Sequence, residues 1–230
     1  MRITFTRHGE SQANILHQIS NRGLVHPLTR KGREQAAALA DKLQDRAITR
    51  IFTSPLLRAI ETSVIVAERL GVEYEVTDAL REFDCGIAEG RADQAAWQMW
   101  QAVFDDWTIH RRWEQRIERG ESFYDVRDRF VPFIEELVAQ YGATDANLLC
   151  VAHGGVLWLM LPLVLTNVNN DLMAKHGFGH TTCIISELQP DGLRCVEWDG
   201  MKILDRISRC ERRAVTHGLC ESTPTCFSLA

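Results

Sequence analysis

The stretch TRIFTSPLLRAIETSVIVAERLG, residues 49–71, decides the fold class. It opens as a strand over Thr49 to Ser54 and turns at Pro55. Pro55 opens a helix that runs through Ile60, Val64 and Ala67 and stops at Gly71. On its amino side, Arg2 to Thr6 alternates as a strand, and Thr29 caps a helix carrying Ala36, Leu39, Ala40 and Leu43 on one face. On its carboxyl side a third strand lies near Tyr74 to Val76. This βαβαβ order predicts an α/β fold with a parallel or mostly parallel sheet covered by helices.

The pattern changes in the middle of the chain. Residues 91–140 hold no convincing strand, and four of the six tryptophans fall between 97 and 113. Ser122 and Asp125 resemble a capping box ahead of the helical stripe Phe123, Val126, Phe130, Ile134 and Leu137. The section reads as a helical insertion lying over the sheet. A core strand returns at Asn147 to Ala152, and Pro190-Asp191-Gly192 turns a hairpin between Thr181–Leu188 and Leu193–Trp198. From about residue 209 the chain is a polar, cysteine-bearing tail.

Bulk properties set limits on function. The 230 residues are 45% hydrophobic and 25% charged, the balance of a soluble globular protein with a sizeable core. A net charge of -5 disfavours a broad nucleic-acid surface, though not a local cationic pocket. The longest apolar run, Val156 to Leu165, is too short for a bilayer and contains Pro162, so no membrane partner is expected. Met1 leads straight into a strand, which leaves no room for a signal peptide and makes the cytoplasm the expected location. Seven cysteines include no CxxC pair; Cys150, Cys183 and Cys195 sit in apolar strands as buried thiols. Cys210, His217, Cys220 and Cys226 lie close in sequence but match no common zinc spacing, and no metal is expected.

Four short constellations carry chemistry. The first strand ends in Arg7-His8-Gly9-Glu10-Ser11, at the edge where parallel strands present side chains to a ligand crevice. A neutral imidazole there can act as a nucleophile, and Arg7 offers a fork of donors to phosphate oxygens. Arg58 lies in the first turn of a helix, where its charge opposes the dipole unless an anion is bound. Leu80-Arg81-Glu82-Phe83 follows the third strand, and Val151-Ala152-His153-Gly154-Gly155 repeats the His-Gly strand end. Singly, each has an ordinary structural reading. Together they form a nucleophile, phosphate clamps and a proton donor.

These motifs, with TSPLLRA at 53–59, LREFDCGIAEG at 80–90 and GES at 120–122, resemble the histidine phosphatase superfamily, phosphoglycerate mutase-like branch, over about residues 2–200. The resemblance implies that His8 accepts the phosphoryl group and that Glu82 acts as general acid and then general base. Arg7, Arg58 and His153 would form the phosphate pocket. Asn14, Ser20 and Gly154 would be substrate-binding, and no cofactor is implied. It also implies a mixed, mostly parallel sheet flanked by helices in one domain, with a core at about 1–83 and 147–208, a cap insertion at about 84–146 and a tail at 209–230.

The expected activity is metal-independent hydrolysis of a small phosphomonoester. A mutase is the alternative, but Ile19-Ser20-Asn21-Arg22-Gly23, Phe83-Asp84-Cys85-Gly86 and His26-Pro27-Leu28-Thr29 look more like the phosphatases. A binding module using the same pocket is the non-enzymatic alternative. Trp97, Trp100, Phe104 and Trp107 recur at helical spacing and read either as a substrate wall or as packing. By analogy alone a homodimer is expected.

Overall fold

A computed structural model describes residues 1–203. The cysteine-bearing tail and its suggested zinc cluster lie outside the described residues. Seven strands form one sheet: β1 (Arg2–Arg7), β2 (Arg50–Thr53), β3 (Tyr74–Val76), β4 (Asn147–Ala152), β5 (Cys183–Gln189), β6 (Gly192–Trp198) and β7 (Met201–Lys202), in the spatial order β3-β2-β4-β1-β5-β6-β7. The first four in that row pair in parallel, and β5, β6 and β7 add on antiparallel. The sheet is mixed as expected, with its parallel half where the βαβαβ pattern lies.

Strand β4 is buried on both faces, as a central parallel strand must be. Leu148, Cys150 and Ala152 face one cluster, which also holds Ile3, Phe5 and Phe52. Leu149 and Val151 face the other, against Leu39, Ala40 and Leu43 of α2 (Arg30–Leu43) and Ala59 and Val66 of α3 (Leu57–Leu70). Thr29 caps α2 by accepting from the Gly32 amide, and Gly71 closes α3 in the left-handed conformation. Pro55 does not open α3; it precedes Leu56, the helix N-cap.

The segment expected as one insertion contains two helices with different partners. α4 (Gln94–Thr108) follows the Glu82 loop, and three of its aromatic side chains line a crevice at the end of the sheet. α5 (Phe123–Tyr141), which carries the Ser122–Asp125 capping box, packs directly on the sheet. Phe130 stacks on Phe5 at 6.5 Å, and Phe133 meets Phe52 edge-on at 5.5 Å. The stripe legible on α5 is therefore a core-facing stripe. α6 (Gly154–Val164) completes that layer, and no described helix is long and apolar enough to cross a membrane. Two short helices, α1 (Gln12–Ile15) and α7 (Asn170–His176), lie in the connections.

Candidate active site

Parallel pairing of β1 with β4 runs in register from Arg2 opposite Asn147 to Arg7 opposite Ala152. The next residue on each strand is a histidine, and the His8 amide donates to the Ala152 carbonyl at 3.1 Å. The rings of His8 and His153 thus lie 5.0 Å apart between centroids. Register alone brings the two His-Gly motifs, 145 positions apart in sequence (153 − 8), to one edge.

His8 is 3% exposed. Its Nδ1 lies 2.6 Å from the Gly9 carbonyl, which only an N–H can satisfy, while Nε2 accepts from Arg58 Nε at 3.0 Å. The two contacts specify the tautomer: a proton on Nδ1 and a lone pair on Nε2. Burial, then the charges of Arg58 and Arg7, hold His8 well below the usual imidazole range, so the ring is neutral.

Arg58 answers the question of an arginine in a first helical turn. It is 5% exposed and reaches away from α3 into the site. Nη1 donates to the Ser20 carbonyl at 2.7 Å and Nη2 to Asn21 Oδ1 at 3.3 Å. Burial lowers its pKa to about 10, which leaves it a cation at neutral pH. Arg7 donates through Nη1 to the Phe178 carbonyl at 3.0 Å, but its buried Nε has no partner. His153 shares a 2.7 Å hydrogen bond between Nε2 and Ser54 Oγ, and its buried Nδ1 also has none. Buried polar atoms are almost always paired, so two orphans on adjacent strand ends mark an anion site.

Glu82 sits in the loop after β3 and caps α6. Its carboxylate accepts from the amides of Gly155 at 2.8 Å and Val156 at 2.6 Å. Burial nevertheless raises its pKa above the usual carboxyl value, outweighing those amides and the charge of Arg58. Gly155 must be glycine here: a Cβ would lie 2.8 Å from both Glu82 Oε1 and the Phe83 ring. Gly9 is required for a comparable reason, since its Cβ would meet the Gly32 carbonyl at 2.4 Å where α2 crosses the loop. Close backbone packing, rather than approach to a ligand, explains that glycine.

Every residue expected at the site is placed around one region. Arg7, His8, Asn14, Ser20, Arg58, Glu82 and Gly154 line a cavity of about 520 Å³, and His153 packs against His8 at its end. Asn14 Oδ1 accepts from the Ser11 amide and hydroxyl, both at 2.9 Å, and from His180 Nε2 at 3.2 Å. Sequence reasoning missed His180, whose ring is 5.8 Å from that of His8 and whose pKa is lowered to about 4, first by burial and then by Arg7. It also gave no role to Asn21 or Ser54, the partners of Arg58 and His153. Ser54 lay inside the TSPLLRA motif; His180 lies in a loop with no pattern to single it out.

The aromatic stripe divides in two. Trp107 is fully buried beneath Phe83, whereas Trp97, Trp100 and Phe104 line the cavity. The stripe thus splits between one member packed in the core and three that line the cavity.

Comparison with known proteins agrees with this geometry. The model of the histidine phosphatase superfamily (branch 1) matches residues 3–200. A 6-phosphofructo-2-kinase/fructose-2,6-bisphosphatase from Gallus gallus is 33% identical over 172 residues, which cover 74% of this chain but 34% of that protein. The chain therefore spans about a third of the length of that two-activity relative. Glucosyl-3-phosphoglycerate phosphatase of Mycolicibacterium vanbaalenii is 33% identical over 161 residues, or 68% of this chain and 70% of that one. Among solved structures, a mycobacterial glucosyl-3-phosphoglycerate phosphatase with VO3 superposes at a TM-score of 0.71 with 28% identity, covering 87% and 98% of the two chains. YhfR of Bacillus stearothermophilus gives a TM-score of 0.72 at 26% identity, covering 86% and 96%. Sequence, sheet order and site together show that this chain belongs to the histidine phosphatase superfamily, among the relatives named as phosphatases.

Proposed function

We propose that the protein is a metal-independent phosphatase that hydrolyses phosphomonoesters of small molecules through a phosphohistidine on His8. One observation carries the reading. A neutral histidine with its Nε2 lone pair facing Arg58 is flanked by two buried, unpartnered nitrogens, Arg7 Nε and His153 Nδ1. A phosphoryl group seated there would take hydrogen bonds from Arg58, Arg7 and His153. The cationic charge needed to stabilise its equatorial oxygens then comes from the two arginines.

The steps follow from these positions. Arg58 Nε turns from His8 to the phosphoryl oxygens, the freed Nε2 lone pair attacks phosphorus, the P–O bond to the ester oxygen breaks, and Glu82 gives its proton to the departing alcohol. The Glu82 carboxylate then takes a proton from water as the water oxygen bonds to phosphorus and the N–P bond breaks. Inorganic phosphate leaves and both residues are restored. A raised Glu82 pKa suits the first half, since the carboxyl must carry a proton near neutral pH. His153 donates from Nδ1 if Nε2 accepts the Ser54 hydroxyl proton, an arrangement the 2.7 Å contact permits. Asn14 has Oδ1 engaged, so it would meet the anion through Nδ2.

The test is phosphate release from a panel of monoesters in EDTA, comparing the native protein with His8→Ala, plus an acid-quench search for acid-labile phosphoryl on the chain. Turnover should survive EDTA and fall by at least about a thousandfold in the variant. Loss of turnover in EDTA, or its persistence without His8, would overturn the proposal. Isomerisation of 3-phosphoglycerate without release would make the protein a mutase; binding without turnover would make it a phospholigand module.

A further inference from the structure

Beyond the phosphate end, the cavity changes character. The charged side chains that line it are Arg7, Arg58 and Glu82, all committed to the phosphoryl group in the mechanism above. Nearby cations are spoken for among the described residues. Arg22 forms a two-bond pair with Asp84 at 2.7 and 2.8 Å, Arg91 pairs with Asp93 at 2.8 and 2.9 Å, and Lys31 reaches Glu10 at 3.0 Å. Among the described residues that line the cavity, a substrate with a second phosphate or a carboxylate would find no cation beyond the two arginines that serve the phosphoryl group, and burying an unpaired anion is costly.

The remaining wall is aromatic. Trp100 and Phe104 stack in nearly parallel planes, 4.8 Å apart at 11°, and Phe104 continues to Trp158 at 6.5 Å. Trp158 in turn meets Phe178, whose carbonyl holds Arg7, so the wall runs up to the anion site. Trp97 is 37% exposed although its Nε1 is fixed to the His17 carbonyl at 2.7 Å. The contrast with Trp107, fully buried on the same helix, separates packing from lining. Trp97, Trp100, Phe104, Trp158 and Phe178 together give the cavity an apolar wall, held by its own ring contacts, against which a flat apolar group can pack. The polar groups among them, Gln18 and Gln101, are neutral.

We infer that the substrate is a single-phosphate ester of an uncharged aryl-bearing alcohol, whose ring lies on the α4–α6 aromatic wall while its phosphoryl group meets His8. This rests on the phosphatase reading and sharpens it. It also predicts a preference different from fructose 2,6-bisphosphate and glucosyl-3-phosphoglycerate, after which the two relatives above are called, both of which carry a further anionic group.

The experiment compares kcat/KM for 1-naphthyl phosphate, 3-phosphoglycerate and fructose 2,6-bisphosphate in the native protein, Trp97→Ala, Phe104→Leu and Gln101→Arg. The native enzyme should favour the naphthyl ester by at least about tenfold, the scale on which a filled apolar pocket discriminates. Either wall variant should shrink that ratio, and having two guards against one failing to fold. Gln101→Arg, which adds a cation to the wall, should raise the relative rate on 3-phosphoglycerate. Preference for an anionic ester in the native enzyme, or ratios unmoved in both folded wall variants, would overturn the inference while leaving His8-dependent hydrolysis intact. If no ester is hydrolysed and no phosphohistidine forms, the phosphatase reading itself has failed.

Discussion

His8 combines two properties that oppose each other in water: it is enclosed, and it keeps an Nε2 lone pair that carries no proton and is held by Arg58. The Gly9 carbonyl takes the Nδ1 proton and two guanidinium groups discourage a second one, so the nucleophilic form is the resting form. Glu82 is the counterpart, a carboxyl whose pKa burial raises even though two helix amides favour its anion. Its first task needs the proton and its second needs the base, which places the useful pKa near the working pH. Glu82→Gln should therefore reduce kcat/KM, which reports the first half-reaction, by about 100-fold or more on alkyl phosphates. The loss should be smaller on p-nitrophenyl phosphate, whose leaving oxygen needs no proton in the first step. In the native enzyme, kcat/KM for alkyl esters should fall as pH rises through the raised Glu82 value, because the proton donor is then lost. Steady-state rates on the two ester types across pH 5–9 check both statements, and equal losses on both would remove Glu82 from the acid role.

At the scale of elements, the site is assembled where several chain segments end or begin. β1 and β4 deliver the histidines by register, α3 delivers Arg58 from its first turn, and the start of α6 is capped by Glu82. The helix start and the acid are mutually dependent, because Gly155 leaves the space that the carboxylate occupies. In Gly155→Ala the new methyl would stand 2.8 Å from Glu82 Oε1 and 2.9 Å from Oε2. Backbone or carboxylate must then move, at a cost of about 1–3 kcal/mol. Urea unfolding should show that loss, and kcat should fall further than stability explains, since the displaced group is the acid. Gly154→Ala is the control. There a Cβ finds only ordinary contact with Arg7 at 3.6–3.7 Å, so its unfolding midpoint should stay close to native.

For the whole molecule, the site imposes a pH dependence on folding. His8, His153 and His180 are all lowered from the ordinary histidine value of 6.5. As pH falls below about 6.5 the unfolded chain takes up protons on these rings while the folded chain does not, so their contribution to stability, intact above that pH, is lost. Glu82 acts in the opposite sense: its raised value adds stability at low pH that disappears as pH rises through it. With three groups against one, the melting temperature should drop by about 5 °C or more between pH 7 and pH 5. Replacing His180 with Gln should soften the drop, as it removes a group lowered to about 4. Thermal scans of both proteins at the two pH values decide the matter; a flat native profile would show that the rings are not held neutral.

Much of this was written in local patterns. The alternation of Arg2 to Thr6, the cap at Thr29, the Gly71 stop and the Ser122–Asp125 box are contacts between residues a few positions apart, and they appear in the structure as read. His8, Arg58 and His153 were legible too, because each stands at a strand end or helix start that its neighbours announce, whereas Glu82 follows β3 in a loop and was singled out by its motif. What the sequence could not determine involves residues brought together from distant segments. His180 reaches Asn14 across 166 positions, and Ser54 reaches His153 across 99, through contacts no local period encodes. A helical stripe says which faces are apolar but not what covers them. Tertiary packing put α5 on the sheet, sent Trp107 into the core and left Trp97, Trp100 and Phe104 facing the cavity, because burial of apolar area depends on the neighbour that arrives rather than on the helix that offers it.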